Sequence, residues 1–94
     1  MPVGILTLYL SLPGCSSLKE KRSRLKPLLA RLHREFNISV AEIDQNDAWQ
    51  SVVIACALVS NNHNHVQRSL QHVLHWIEIN WQDVEVDSER LEII

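Results

Sequence analysis

Seven of the nine Lys and Arg residues in this 94-residue chain fall between Lys19 and Arg34. They are Lys19, Lys21, Arg22, Arg24, Lys26, Arg31 and Arg34. Residues 1–40 carry those seven cations against two acids, net +5, whereas residues 41–94 carry two cations against nine acids, net −7. The formal total of −2 therefore conceals a dipolar molecule. Such a molecule can hold a polyanion against one face while the remainder keeps it in solution. On a helix, Lys19, Arg22 and Lys26 form one flank at spacings of three and four, and Lys21, Arg24 and Arg31 line the other. Cations spread over several helical turns can touch several phosphates, with affinity that falls steeply as salt rises. The competing reading is a solvated face that pairs with the acidic remainder of the chain or with a neighbouring subunit.

Four of the five histidines lie between His63 and His75. His63-x-His65 could chelate, and His72 and His75 stand at i, i+3, close enough to reach one metal. On a helical wheel, however, His65 and His72 lie beside the apolar stripe while His75 points outward. No Cys or carboxylate nearby in sequence completes four ligands, so neither a metal nor a cofactor is expected. The same wheel groups His65, His72, Trp76 and Ile79 on one flank, a candidate protein–protein contact that includes a homodimer. The alternative is that the helix lies low enough on its sheet to cover this flank itself.

Glu42 and Asp44 fall on one face of a short strand, with Asp47 in the turn after it. They could bind a cation or act as an acid–base pair, but carboxylates on an edge strand more often prevent unwanted pairing. No Ser–His–Asp or Cys–His constellation has local support, and Cys56 reads as a small buried hydrophobe. The loop Pro13–Ser17 precedes a helix start whose amides could hold an anion. A turn and a cap explain it equally well. No reaction follows from these residues, and a non-enzymatic protein is expected.

The elements that must position them are legible from hydropathy. Residues 3–12 alternate strictly, with Leu6, Leu8, Leu10 and Leu12 on one face and Val3, Ile5, Thr7, Tyr9 and Ser11 on the other. Pro13-Gly14 breaks this strand. Ser17-Leu18-Lys19-Glu20 is an S-x-x-E capping box, in which the Ser17 hydroxyl and the Glu20 carboxylate can satisfy orphan amides. Leu18, Leu25, Leu29, Leu32 and Phe36 then draw one apolar stripe, with Leu28 at its edge, on a helix that should stop near Asn37. Pro27 sits on its solvent side and predicts a kinked or bent helix. Residues 38–44 and 49–60 read as strands of a hairpin joined by a turn at 45–48. After a polar stretch at 61–64, Val66, Leu70, Val73, Leu74, Ile77 and Trp81 mark the buried face of a second helix. Val84, Val86, Leu91 and Ile93 suggest a final strand or short hairpin, interrupted near Asp87-Ser88.

The order β-α-β-β-α-β, with right-handed crossovers, places both helices on one side of a four-stranded antiparallel sheet. This is the ferredoxin-like α+β arrangement, with strand order 4-1-3-2 and its two most apolar strands in the centre. The length suits one domain spanning 1–94, and an apolar fraction of 46% with 21% charged residues is ordinary for a folded chain. The apolar run 52–59 is too short to span a bilayer. The chain's start carries no basic, cleavable leader, and two cysteines 41 residues apart do not form a disulfide scaffold, so a cytoplasmic location is expected. A base-stacking role for the sheet lacks its aromatics: strand one offers Tyr9, strand three none, and Trp49 stands only at its start.

The segments Ser17–Arg22, Val40–Asp44, Trp49-Gln50 and Val59–Asn61, in that order and spacing, resemble the YlxP-like family of small bacterial proteins of unknown function. The resemblance runs from the first strand through the second helix. It implies a ferredoxin-like fold, a bacterial cytoplasmic protein and a place among translation and transcription factors. Some members are likened to ribosome-binding factor A, so RNA or a ribosomal particle is the expected partner. The family supplies no catalytic residue to transfer. Acylphosphatases have the same fold, but their phosphate loop carries an arginine after strand one, and residues 11–18 contain none.

Overall fold

The computed structural model describes residues 1–44 and 48–94. The elements run β1 (Val3–Ser11), α1 (Leu18–Glu35), β2 (Ser39–Asp44), β3 (Ser51–Val59), α2 (His63–Asn80) and β4 (Glu85–Ile93). All strand pairs are antiparallel, in the order β2-β3-β1-β4. The ferredoxin-like arrangement read from the sequence is therefore present, with β1 and β3 central. The alternating face of β1 supplies Leu6, Leu8 and Leu10 to the core, where they meet Val52, Ile54 and Cys56 of β3. Leu25, Leu28 and Leu32 of α1 and Val66, Leu70, Val73 and Ile77 of α2 close over them from the same side.

α2 sits close enough to β1 that only a glycine fits beneath it. A Cβ on Gly4 would lie 2.2 Å from Val66 Cγ1 and 2.7 Å from Leu70 Cδ1, well inside contact distance. Gly14, at φ 74°, takes the left-handed conformation that turns the chain from β1 toward α1. At the start of α1 the Glu20 amide donates to Ser17 Oγ at 3.0 Å, but the reciprocal half of the capping box is replaced. The Glu20 carboxylate instead accepts from Ser16 Oγ at 3.1 Å. α1 runs unbroken through Pro27, which is exposed, as one 18-residue helix.

Two strand irregularities change which way side chains face. Opposite β1, Ser88 pairs with Tyr9 and Val86 with Leu10, so Asp87 is an extra residue. This bulge is the interruption seen in the sequence, and it keeps β4 one strand rather than a hairpin. Ser11 Oγ donates to the Asp87 carboxylate there. In β2, Glu42 registers with Ile54 and Asp44 with Val53, leaving Ile43 as the extra residue. Glu42 and Asp44 therefore do not share a face, because the bulge breaks the two-residue alternation that the pairing assumed. The turn expected at 45–48, with Asp47, lies almost wholly outside the described residues.

Candidate nucleic-acid interface

α1 lies on the sheet through Leu25, Leu28 and Leu32, and this fixes the direction of every cation it carries. Lys21 sits one turn before Leu25 on the same stripe and is 2% exposed, so it is not a surface group. Its ammonium donates to the Ala48 carbonyl at 2.8 Å and pairs with Glu42 Oε2 at 3.1 Å. The placement of Lys21 on an outer flank is corrected accordingly. A four-carbon stem lets the residue lie among leucines while its head reaches polar partners at the sheet edge.

Arg24 is likewise engaged. Its Nε donates to Asp83 Oδ2 at 2.9 Å and its Nη2 to Asp83 Oδ1 at 3.1 Å, a two-pronged grip on one carboxylate. Further bonds run to the Asp83 carbonyl at 2.7 Å and the Pro13 carbonyl at 2.8 Å. The Asp83 hydrogen bond raises the guanidinium pKa above its ordinary value. Arg24 thus fastens the β1–α1 loop to the segment before β4. Arg31 lies 5.4 Å over the Trp76 ring, with Glu35 at 3.4 Å from its Nη2.

Lys19, Arg22, Lys26 and Arg34 are different. All four are exposed, and none has an acidic partner among the described residues. Lys19, Arg22 and Lys26 follow one line along the helix, and Arg34 extends the outward surface to its last turn. At 1.5 Å per residue the four span roughly 22 Å. Acidic Glu85, Asp87 and Glu89 are exposed on β4, at the opposite edge of the sheet from β2. The charge asymmetry of the sequence is therefore a spatial one.

The loop before α1 is less suited to an anion. Its cap is satisfied by Ser17, the Glu20 carboxylate stands beside it, and the Pro13 carbonyl is held by Arg24. Cys15 is buried, and its thiol lies 3.4 Å from the Ser17 carbonyl as a donor. Cys56 is fully buried on β3, and burial pushes its pKa up to about 12, which leaves it a neutral, unreactive thiol at ordinary pH.

The second flank divides in the same way. His65, His72 and Ile79 are exposed, Ile79 at 56%. Trp76 instead packs within the molecule, edge-on to Phe36 at 6.0 Å and stacked on Trp81 at 6.2 Å. With Arg31 over its ring, the indole joins the C-terminal halves of both helices, leaving a shallow cleft of about 280 Å³ beside His72, His75 and Ile79. Among the described residues no three His, Cys, Asp or Glu side chains are grouped to hold a metal. No helix among them is long and apolar enough to cross a membrane.

The protein is a ferredoxin-like α+β domain with a cationic surface that has no acidic partner among the described residues. Residues 3–90 match the family described as "Protein of unknown function (DUF503)", and the chain belongs to that family. It is 42% identical over 62 residues to the "Uncharacterized protein YlxP" of Bacillus subtilis (strain 168), covering 66% of this chain and 67% of that protein. The family is thus YlxP-like, as the sequence segments indicate, and of unknown function. Among solved structures, the de novo designed protein Foldit4 aligns over 100% of this chain and 97% of its own with a TM-score of 0.53. At 14% identity this is a likeness of fold alone. SnoaB, a cofactor-independent oxygenase from Streptomyces nogalater, aligns at a TM-score of 0.48 and 11% identity, over 99% of this chain and 90% of that one.

Proposed function

We propose that this is a non-enzymatic cytoplasmic protein that contacts RNA or a ribonucleoprotein, such as a ribosomal particle, through the exposed cations of α1. The observation that carries the reading is the separation of α1 into spent and unspent charge. Lys19, Arg22, Lys26 and Arg34 meet solvent with no acidic partner among the described residues, while Glu85, Asp87 and Glu89 are exposed on β4 at the far edge of the sheet. A stripe of this length matches several phosphates along one backbone, so binding is led by charge rather than by sequence.

The test is fluorescence anisotropy with a structured RNA across a salt series. Four phosphate contacts predict that log K falls against log salt with a slope of roughly −3 to −4. Replacing Lys19, Arg22 and Lys26 together by Glu abolishes binding in this reading, and Arg24→Met leaves the slope unchanged. Absence of binding at low salt, or binding indifferent to the triple substitution, rejects it. Co-sedimentation with ribosomal particles from the native cell then distinguishes a specific partner from general polyanion affinity.

A further inference from the structure

Both helices cover the same side of the sheet, and the opposite side has no cover among the described residues. The strand registers lay this open face out in rows across β2, β3, β1 and β4. One row is Ser39, Ala57, Ile5 and Glu92, and the next is Ala41, Ala55, Thr7 and Arg90. A third holds Asp44, Val53, Tyr9 and Ser88. In the first two rows the β2–β3 half is small and the β1–β4 half is large. We infer that this face is the interface of a two-fold dimer, its occupant a second copy of the chain.

Shape selects the arrangement. A two-fold axis parallel to the strands, between β1 and β3, lays β1 of one copy over β3 of the other. Ile5 then faces the partner's Ala57, Thr7 faces the partner's Ala55, and Tyr9 faces the partner's Val53. Large groups meet small ones in the Ile5 and Thr7 rows, which lets two sheets close to the roughly 10 Å at which their side chains interdigitate.

Charge selects the same axis. It puts β4, whose open face carries Glu85 and Glu92, over the same face of the partner's β2, where Ser39 and Ala41 are neutral and Asp44 is the one acid among the described residues. An axis across the strands would stack β4 on β4 and oppose like charges. Among the described residues the open face carries Asp44, Glu85 and Glu92 against Arg90 alone, and Arg90 is already paired with Glu92 at 3.5 Å. Such a face repels a nucleic acid and suits a protein.

Area is sufficient. Four strands about 4.8 Å apart, most of them nine residues long, give a footprint of roughly 19 by 30 Å, about 570 Å² per copy. Two copies together bury about 1,100 Å², at the lower end of specific interfaces and above most packing contacts. α1 lies on the outside of both sheets, so the cationic stripe stays accessible and the dimer presents two.

Sedimentation equilibrium tests this at up to about 0.5 mM, because an interface of this size belongs with the weaker specific complexes. The wild type is expected to dimerise, Ala57→Arg to sediment as a folded monomer, and Ile79→Glu on the α2 flank to leave the dimer intact. Should Ala57→Arg lose its far-ultraviolet circular dichroism, Thr7→Lys serves in its place, since its side chain points away from the core. An independent readout needs no variant: on dilution of the wild type, methyl resonances of Ile5, Ala55 and Ala57 should shift while those of Ile79 stay fixed. A wild type that is monomeric throughout overturns the inference. So does a dimer that survives both open-face charges, or one that Ile79→Glu dissolves.

Discussion

Arg22 and Arg24 stand two residues apart on one helix and serve opposite ends. Arg24 spends its guanidinium on Asp83, Pro13 and Glu20, tying together parts of the chain 59 residues apart. Arg22 meets water and has no acidic partner among the described residues. The same contrast sets Lys21 against Lys19. A count of cations overstates a binding surface, because the fold uses some of them as fasteners. Two residues, just over half a turn about the helix axis, are enough to separate the roles.

The sharpest way to break the comparison is Lys21→Met. Removing one partner of a buried pair strands the other, at a cost of about 3–5 kcal/mol when both are fully enclosed. Glu42 is 26% exposed and can recover some hydration, so about 2–3 kcal/mol is expected here. Lys19→Met should change stability by no more than about 0.5 kcal/mol. Urea unfolding of the two variants measures the difference, and equal midpoints would dissolve the distinction between inner and outer cations.

Lys21 was also the residue that sequence reasoning placed least well, and the signal was present. It falls between Leu18 and Leu25 at spacings of three and four, on the line that continues to Leu28 and Leu32. A charge was assigned outward by type when its position pointed inward. The fold was legible because β1 alternates without error, and because Pro13-Gly14 and Ser17 mark where one element stops and the next begins. The bulges at Ile43 and Asp87 were not legible in detail, since an extra residue leaves composition unchanged while reversing the faces that follow. Nor could pattern alone join Arg24 to Asp83 across the domain. For Trp76 the choice between core and contact depended on how closely the two helices approach, which no wheel of one helix contains.

Alkaline pH sharpens the comparison by removing a confounding effect. Cys56 gives stability a dependence of its own on alkaline pH. Its ordinary pKa of 9.0 is raised to about 12 in the folded protein, so between these values the unfolded chain loses a proton that the folded one keeps. Stability from this group is intact below pH 9.0 and falls through the window up to about 12. The slope is about 1.4 kcal/mol per pH unit. Cys56→Ala should start less stable, from the lost packing, but show a flatter alkaline limb in thermal melts at pH 8 to 10. A limb as steep as in the wild type would reject Cys56 as its cause.

Arg24→Met gives a smaller loss. The guanidinium is partly shielded but Asp83 is more than half exposed, so water replaces much of what is removed, and about 1 kcal/mol is expected. The effect belongs to the neutral bonds with the Pro13 and Asp83 carbonyls as much as to the ion pair, and should therefore persist in 1 M salt, where the screening length is about 3 Å. Asp83→Asn, which keeps the shape and removes the charge, isolates the ionic part. If Arg24→Met loses its whole effect in high salt, the inner cation behaves like an exposed one.

The smallest effect on folding is the most informative about function. Arg22→Gln keeps a long polar side chain at a site with no acidic partner among the described residues, and its unfolding midpoint should match the wild type within about 0.5 kcal/mol. Because it removes one unpaired charge from the stripe, it should shallow the salt slope of RNA binding by just under one unit. Arg24→Gln should do the reverse, lowering stability while leaving the slope alone. The pair of variants forms a crossed test on two residues of the same type and nearly the same place. If both moved stability or both moved the salt slope, position on the helix would not be what divides structural cations from binding ones.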